Sequence, residues 1–431
     1  MTLSPKNRWK FINIKSIHVG LATILFTLLN LMLRWPGKLT PDSANQLRQA
    51  ISGHYSDGNP PIMAIIWREL LPITDPTVVM LVLQTTLFWL GIGLFAAVLA
   101  QKDHHRAALV MLISGFTPIA LMYTGVILKD SLMTSFFIAA FGLAAWKDVR
   151  LRSVGLLLGA TGMLTRLNAV FAFPSLLFLA LRLKLSLFKS LIYALIISIA
   201  LIPLSQWINH DIFGAERAGL ERSLQIYDLA GIAYFSGDTS VLPVDITNLS
   251  ECYTPYYWDT LGAARCDYTF GKLDNSITRE WITGIITHPL AYMQHRLSHF
   301  NYETFFLVPP VQQCVEAPEA HDCPRSLLSD FVSKNGLLWP VAWLTLGIVM
   351  LLSGLGDIPR ALTISALMYG FAYLIIGVAS QFRYYYWTEI AIQTALIFQI
   401  ATAGFPKWRI AALSVLAIWI MGYLWRISYL F

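Results

Sequence analysis

The sequence predicts an all-α polytopic membrane protein with about eleven transmembrane helices. Three observations carry that prediction. Hydrophobic residues make up 56% of the chain and charged residues 13%, roughly half the charged share of a soluble domain. The apolar runs are close to the ~20 residues that cross the hydrocarbon core of a bilayer. Lys and Arg recur in alternate connections between those runs, the bias that marks cytoplasmic loops. These loops also account for the formal net charge of +6, which calls for no nucleic-acid partner.

The N-terminal segment carries Lys6, Arg8, Lys10 and Lys15 and is placed inside. The first run begins near Ile17 and is followed by no small-residue cleavage site, so it reads as a retained span. The expected spans are 17–34, 77–100, 107–125, 130–146, 153–168, 170–181, 190–208, 337–354, 361–379, 386–403 and 410–425. Alternation then puts Gln101–Arg106, Lys147–Arg152, Arg182–Lys189, Ser353–Arg360 and Phe405–Arg409 inside, and each contains Lys or Arg. All of this reads as one membrane-embedded domain over 1–431, with a first external loop at 35–76 and a large one at 210–336.

The first external loop holds the densest polar pattern. Thr40-Pro41-Asp42-Ser43 is a helix start: Thr40 caps, Pro41 suits the first helical position, and Asp42 falls in the first turn. A carboxylate there faces the positive end of the helix dipole and tends to stay ionised. The expected helix sets Ala44, Leu47, Ala50 and Ile51 against Asn45, Arg48 and Gln49, the pattern of a helix lying on a membrane surface. A polar turn over Ser52–Asn59 follows. Pro60-Pro61 then starts a second amphipathic helix with Ile62, Ile65, Ile66 and Leu70 on one face. On spacing alone, Asp42 is a helix-start residue and Asp57 a turn residue.

The large external loop contains all four cysteines, Cys252, Cys266, Cys314 and Cys323. Their confinement to one exposed segment suggests an oxidising compartment and at least one disulfide. Cys252–Cys266 with Cys314–Cys323 is the simplest of three pairings. A zinc site competes poorly, because no CxxC pair is present.

Three cations emerge on the side that carries Asp42 and Asp57. Lys129-Asp130 interrupts an apolar region, Arg166-Leu167-Asn168 lies between two spans, and Gln381-Phe382-Arg383-Tyr384 precedes a late span. A single such cation reads as an interfacial anchor. Charge held at membrane depth usually has a partner, and a guanidinium matches a lipid phosphate through paired hydrogen bonds.

An Asp just after the first span, a Tyr downstream (Tyr55) and then Asp57-Gly-Asn-Pro-Pro resemble the first external loop of C-type glycosyltransferases. These are multi-spanning enzymes that use polyprenyl-phosphate-linked sugars. Lys129-Asp130 after the third span and Arg383-Tyr384 before a late span extend the resemblance. Many members have His before the paired prolines, where this chain has Asn59. The resemblance covers roughly the first 180 residues and the Arg383 region, and does not extend to 210–336.

It implies a bacterial inner-membrane enzyme with its site facing the periplasm or exterior. The enzyme would move a sugar from a polyprenyl phosphate to a glycan, lipid or protein acceptor. Asp42 and Asp57 would be catalytic, with Asp42 as the general base. Lys129, Arg166 and Arg383 would hold the donor phosphate, and Tyr55, Asn59, Asp130 and Tyr384 would position donor and acceptor. No cofactor is required, although Asp42, Asp57 or Asp130 could hold a divalent metal.

Two alternatives stay open. One is an envelope oligosaccharide polymerase or ligase using Arg217, Arg222, Arg265, Arg279 and Arg296. The other is a lipid or sugar transporter, against which stand the lack of an internal repeat and of charges at span centres.

Overall fold

A computed structural model describes residues 14–244, 246, 248–262, 266, 277–309 and 334–428. Cys314, Cys323, Arg265 and Pro310 lie outside the described residues. The chain is mostly helical and divides into two compact units, Met1–Arg217 with Gly347–Tyr369 and Arg383–Trp408, and Ala218–Leu346 with Gly370–Phe382 and Arg409–Phe431.

In the first unit, helix α1 (Ile14–Arg34) leads through strand β1 (Lys38–Leu39) to α2 (Pro41–Ser52) and α3 (Ile62–Leu70). Then come α4 (Pro76–Gln101), α5 (His105–Ser114), α6 (Pro118–Thr124), strand β2 (Val126–Ile127) and α7 (Lys129–Ala144). The segment continues with α8 (Val149–Met163), α9 (Phe173–Ala180) and α10 (Leu187–Trp207). Helix α7 is central, buried from Asp130 to Ala144 and packed between α4 and α8. Backbones approach closely on both sides. A Cβ at Gly91 of α4 would strike the Ile138 backbone, and one at Gly155 of α8 would strike the Ala140 carbonyl. Small residues at such crossings are what membrane helices use to pack.

Five helices are long and apolar enough to cross a membrane: Ile17–Arg34, Pro76–Gln101, Leu187–Ile212, Asp357–Ile376 and Trp408–Ser428. A sixth candidate is the pair α5 and α6, bent by 47° at the break before Pro118, where an unbroken span over 107–125 was expected. Proline opens α6 and has no N–H with which to continue the ladder of α5. Four other expected spans are shorter in the structure: α7 has 16 residues, α8 has 15, α9 has 8 and Pro340–Leu351 has 12. The pair of two-residue strands is also an addition to the all-α expectation.

Helix α2 differs from its expected face. It buries Ser43, Gln46, Gln49 and Ala50 while Ile51 is 65% exposed. The Gln49 carboxamide is drawn inward to accept the Ser56 N–H at 3.1 Å, which ties the polar turn to the helix.

The second unit has its own core. Helix α11 (Leu220–Ser236) is followed by the short α12 (Leu249–Cys252) and α13 (Asp259–Gly262), then α14 (Thr278–Thr287) and α15 (Pro289–Glu303). Ile226, Tyr227, Leu229 and Ala230 of α11 pack with Leu249, Tyr253, Leu261 and Ile277. Cys252 and Cys266 form a disulfide inside this cluster. Helices α16 (Pro340–Leu351) and α17 (Asp357–Ile376) begin in one unit and end in the other, α18 (Tyr386–Ala403) belongs to the first, and α19 (Trp408–Ser428) lies almost wholly in the second.

Candidate functional site

Strands β1 and β2 set the geometry. Lys38 pairs with Val126 and Leu39 with Ile127, in parallel. The residues that follow each strand therefore emerge side by side: Thr40-Pro41-Asp42 after β1, Lys129-Asp130 after β2. Gln84 of α4 holds β2 from behind by donating to the Thr124 and Val126 carbonyls at 3.0 Å each. Thr40 closes a capping box with Ser43, so the first amides of α2 are served by Thr40 and not by Asp42.

The Asp42 carboxylate instead meets the Arg383 guanidinium at 2.8 Å. Arg166 pairs with Asp130, which is fully buried. Lys129 donates to the Asn59 side chain at 2.5 Å. The Tyr384 ring lies under both guanidinium groups, 4.7 Å from Arg166 and 5.6 Å from Arg383, a cation–π arrangement on each. The structure thus brings together Asp42, Asn59, Lys129, Asp130, Arg166, Arg383 and Tyr384. They come from five separate stretches of sequence.

Electrostatics follow from this packing. Burial pushes the Asp42 carboxyl up, but Arg383, Lys129 and Arg166 outweigh it and hold the group below its ordinary value. Asp42 is therefore ionised at neutral pH. Burial, followed by repulsion from Arg166, brings Lys129 down to about 8. The cluster is open: the Asp42 side chain is 36% exposed and that of Arg383 17%.

Asp57 and Tyr55 engage other partners. Asp57 is buried and faces His210 Nε2 at 3.3 Å. His210 also meets Gln206 at 2.9 Å and the Ala215 carbonyl at 2.7 Å. The Asp57 and Glu216 amides donate into a bridge with Glu216 and Tyr55, respectively, each at 2.9 Å. Tyr55 packs against the apolar cluster of Met63, Trp67 and Leu132. His210 has no signal in the local sequence, because its partner lies far away in the chain.

A second charged cluster lies wholly within the other unit. Asp228 of α11 takes hydrogen bonds or ion pairs from Arg296 at 2.5 Å, His295 at 3.2 Å and the Trp281 indole at 2.7 Å. Arg296 also donates to the Gly377 carbonyl at 2.6 Å. His295, His299 and Glu303 recur every four residues on α15, and all three are 0% exposed. His295 sets Nε2 3.2 Å from the Asp228 carboxylate and Nδ1 2.8 Å from the Tyr253 hydroxyl. His299 donates through Nδ1 to the Pro255 carbonyl at 2.8 Å and presents Nε2 to Glu303 at 3.3 Å. Burial pushes the Glu303 carboxyl up. Burial also lowers His295 to about 4, which leaves it neutral.

Among the described residues, no group of three or more His, Cys, Asp or Glu side chains is arranged to hold a metal ion. No protein-family model, curated protein or solved structure matches the chain.

Proposed function

We propose that the protein is a multi-pass membrane glycosyltransferase. It would move a sugar from a polyprenyl-phosphate donor to an envelope glycan, lipid or protein acceptor on the external face. The observation that carries this reading is one open cluster in which three cations, Lys129, Arg166 and Arg383, surround an ionised carboxylate, Asp42. The eleven-span topology, with this cluster on the periplasmic side of a bacterial inner membrane, belongs to the same proposal.

A sugar on a polyprenyl phosphate is already activated, so transfer needs a base, a stabilised leaving group and little water. The incoming phosphate draws Arg383 away from Asp42 through a paired hydrogen-bonded contact. Asp42, relieved of its cation, takes the proton of the acceptor hydroxyl. That oxygen bonds to the anomeric carbon as the bond from this carbon to the phosphate oxygen breaks. The phosphate leaves with the electron pair, and Lys129, Arg166 and Arg383 stabilise the charge that develops on it. Tyr384 keeps both guanidinium planes in register through the cation–π contacts.

The polymerase or ligase reading leans on arginines of the large loop. Of these, Arg296 is buried and committed to Asp228 and the Gly377 carbonyl, which leaves it out of reach of a substrate.

The test is a transfer assay in vesicles with a panel of polyprenyl-phosphate sugars. We expect one donor to be consumed, Arg383→Ala to weaken its use strongly, and Arg383→Lys to recover only part because the paired geometry is lost. No transfer from any donor by folded protein, or undiminished use by Arg383→Ala, overturns the reading.

A further inference from the structure

Helix α7 is 16 residues long, which places its two ends about 24 Å apart. The candidate catalytic cluster gathers at its N-terminus. At its other end the Arg182 guanidinium donates to the Ala145 and Trp146 carbonyls, at 3.3 and 2.6 Å. Arg182 belongs to the turn between α9 and α10, and Arg360 reaches the same turn by donating to the Leu185 carbonyl at 3.2 Å. Between these arginines is a small, partly open cavity.

Three properties of that cavity point to its occupant. First, its position is a membrane boundary. Helices Leu187–Ile212 and Asp357–Ile376, both able to cross a bilayer, begin there. Second, its polar lining is cationic. Arg182 and Arg360 line it with a single acid, Asp357, which pairs with Arg360 at 3.1 Å. Among the described residues the Nε and Nη1 donors of Arg182 have no protein partner, so a planar array of N–H groups is available. Third, the rest of its wall is apolar, including Phe178, Leu179 and Ile364, and the adjoining surface exposes Leu181, Leu183 and Phe188 at 53, 44 and 73%. A soluble phosphate has no use for that surface, whereas an acyl chain does.

We propose that this cavity seats the headgroup of an anionic membrane phospholipid, with its phosphate on Arg182 and Arg360 and its acyl chains along Leu181, Leu183 and Phe188. Basic pockets between membrane helices hold such headgroups. The site is separate from the proposed transfer chemistry, and it stands or falls without it.

The experiment is native mass spectrometry of the purified full chain exchanged into mixed phosphatidylglycerol and phosphatidylcholine. We expect wild type to retain phosphatidylglycerol selectively and the Arg182→Gln/Arg360→Gln pair to retain it about twenty- to thirty-fold less, from about a fivefold contribution per arginine. Asp357→Asn removes the competing acid and should raise retention several-fold. That variant tests the site even if the double variant fails to fold. Equal retention of both lipids, or an Asp357→Asn protein that binds no more phosphatidylglycerol than wild type, overturns the proposal. Displacement of the lipid by excess inorganic phosphate would also overturn it, in favour of a soluble-phosphate site.

Discussion

The two units each bury a cluster of charge, and the clusters are built on opposite principles. Around Asp42 each acid has one principal cation, a cation is left over, and the Asp42 side chain is 36% exposed. Around Asp228 every charge is enclosed, His295 is neutral and burial pushes the Glu303 carboxyl up. Both set arginine and carboxylate a few ångströms apart. They differ in access and in surplus charge. A sealed network with its charges paired serves the fold, because a ligand could enter only by leaving a buried charge unpaired. An open network with surplus positive charge can exchange an internal partner for a phosphate.

The largest effect that would separate the two belongs to Asp42→Asn. Thr40 and not Asp42 serves the first amides of α2, and the Asp42 side chain is partly exposed, so unfolding temperature should hold. Turnover should fall by about 10²–10⁴, the usual contribution of a positioned base. Near-normal transfer by the folded variant would remove Asp42 from the chemistry.

In the sealed cluster the balance reverses. Arg296→Met leaves Asp228 buried without its main cation, and should cost about 3–5 kcal/mol of stability in a denaturant titration. A loss under about 1 kcal/mol would mean that the cluster is not the closed structural network described above.

Acid should also find the sealed cluster first. The His295 imidazole takes up its proton at an ordinary value of 6.5 in the unfolded chain, but only near 4 in the folded one. Between those values the unfolded chain binds more protons. Stability is thus intact above pH 6.5 and falls as pH drops toward 4, by about 3 kcal/mol if the full shift is expressed. Asp42, whose folded value is depressed, stays ionised over the same interval. Tryptophan fluorescence of Trp281, which donates to Asp228 at 2.7 Å, would follow the loss. A Trp281 signal that stays flat from pH 7 to 4 would contradict it.

The smallest effect sharpens the open side. Lys129 loses its proton near 8 in the unliganded site. Donor affinity should decline above that pH, by at most about tenfold per unit, as the cationic form is depleted. Lys129→Arg should flatten the profile, because a guanidinium keeps its charge.

Much of the open cluster was legible in the sequence because its parts are marked locally. A helix-start motif carries Asp42, and Lys129, Arg166 and Arg383 each interrupt apolar sequence. Their convergence was expected from the resemblance and not from any local pattern. It depends on the pairing of Lys38 with Val126 and Leu39 with Ile127, two-residue strands that no pattern of alternation could reveal. The sealed cluster left a trace in His295, His299 and Glu303, spaced four apart. Polar residues along one helix face ordinarily mark solvent, and only the packing of α11 against α15 turns that face inward. The partnership of Asp57 with His210 had no local trace at all.

The inventory of the open cluster has a consequence in electroneutrality. Three cations and two carboxylates sum to +1, from Lys129, Arg166 and Arg383 against Asp42 and Asp130. A sugar-linked polyprenyl phosphate is a diester of charge −1, so the loaded site of the proposed enzyme is neutral. Transfer moves one proton onto Asp42, which raises the protein's sum to +2, and leaves a phosphate monoester of charge near −2. The balance holds on both sides of the reaction. A low-dielectric site can then turn over without importing a counterion, and it would release its product when Asp42 returns its proton to solvent.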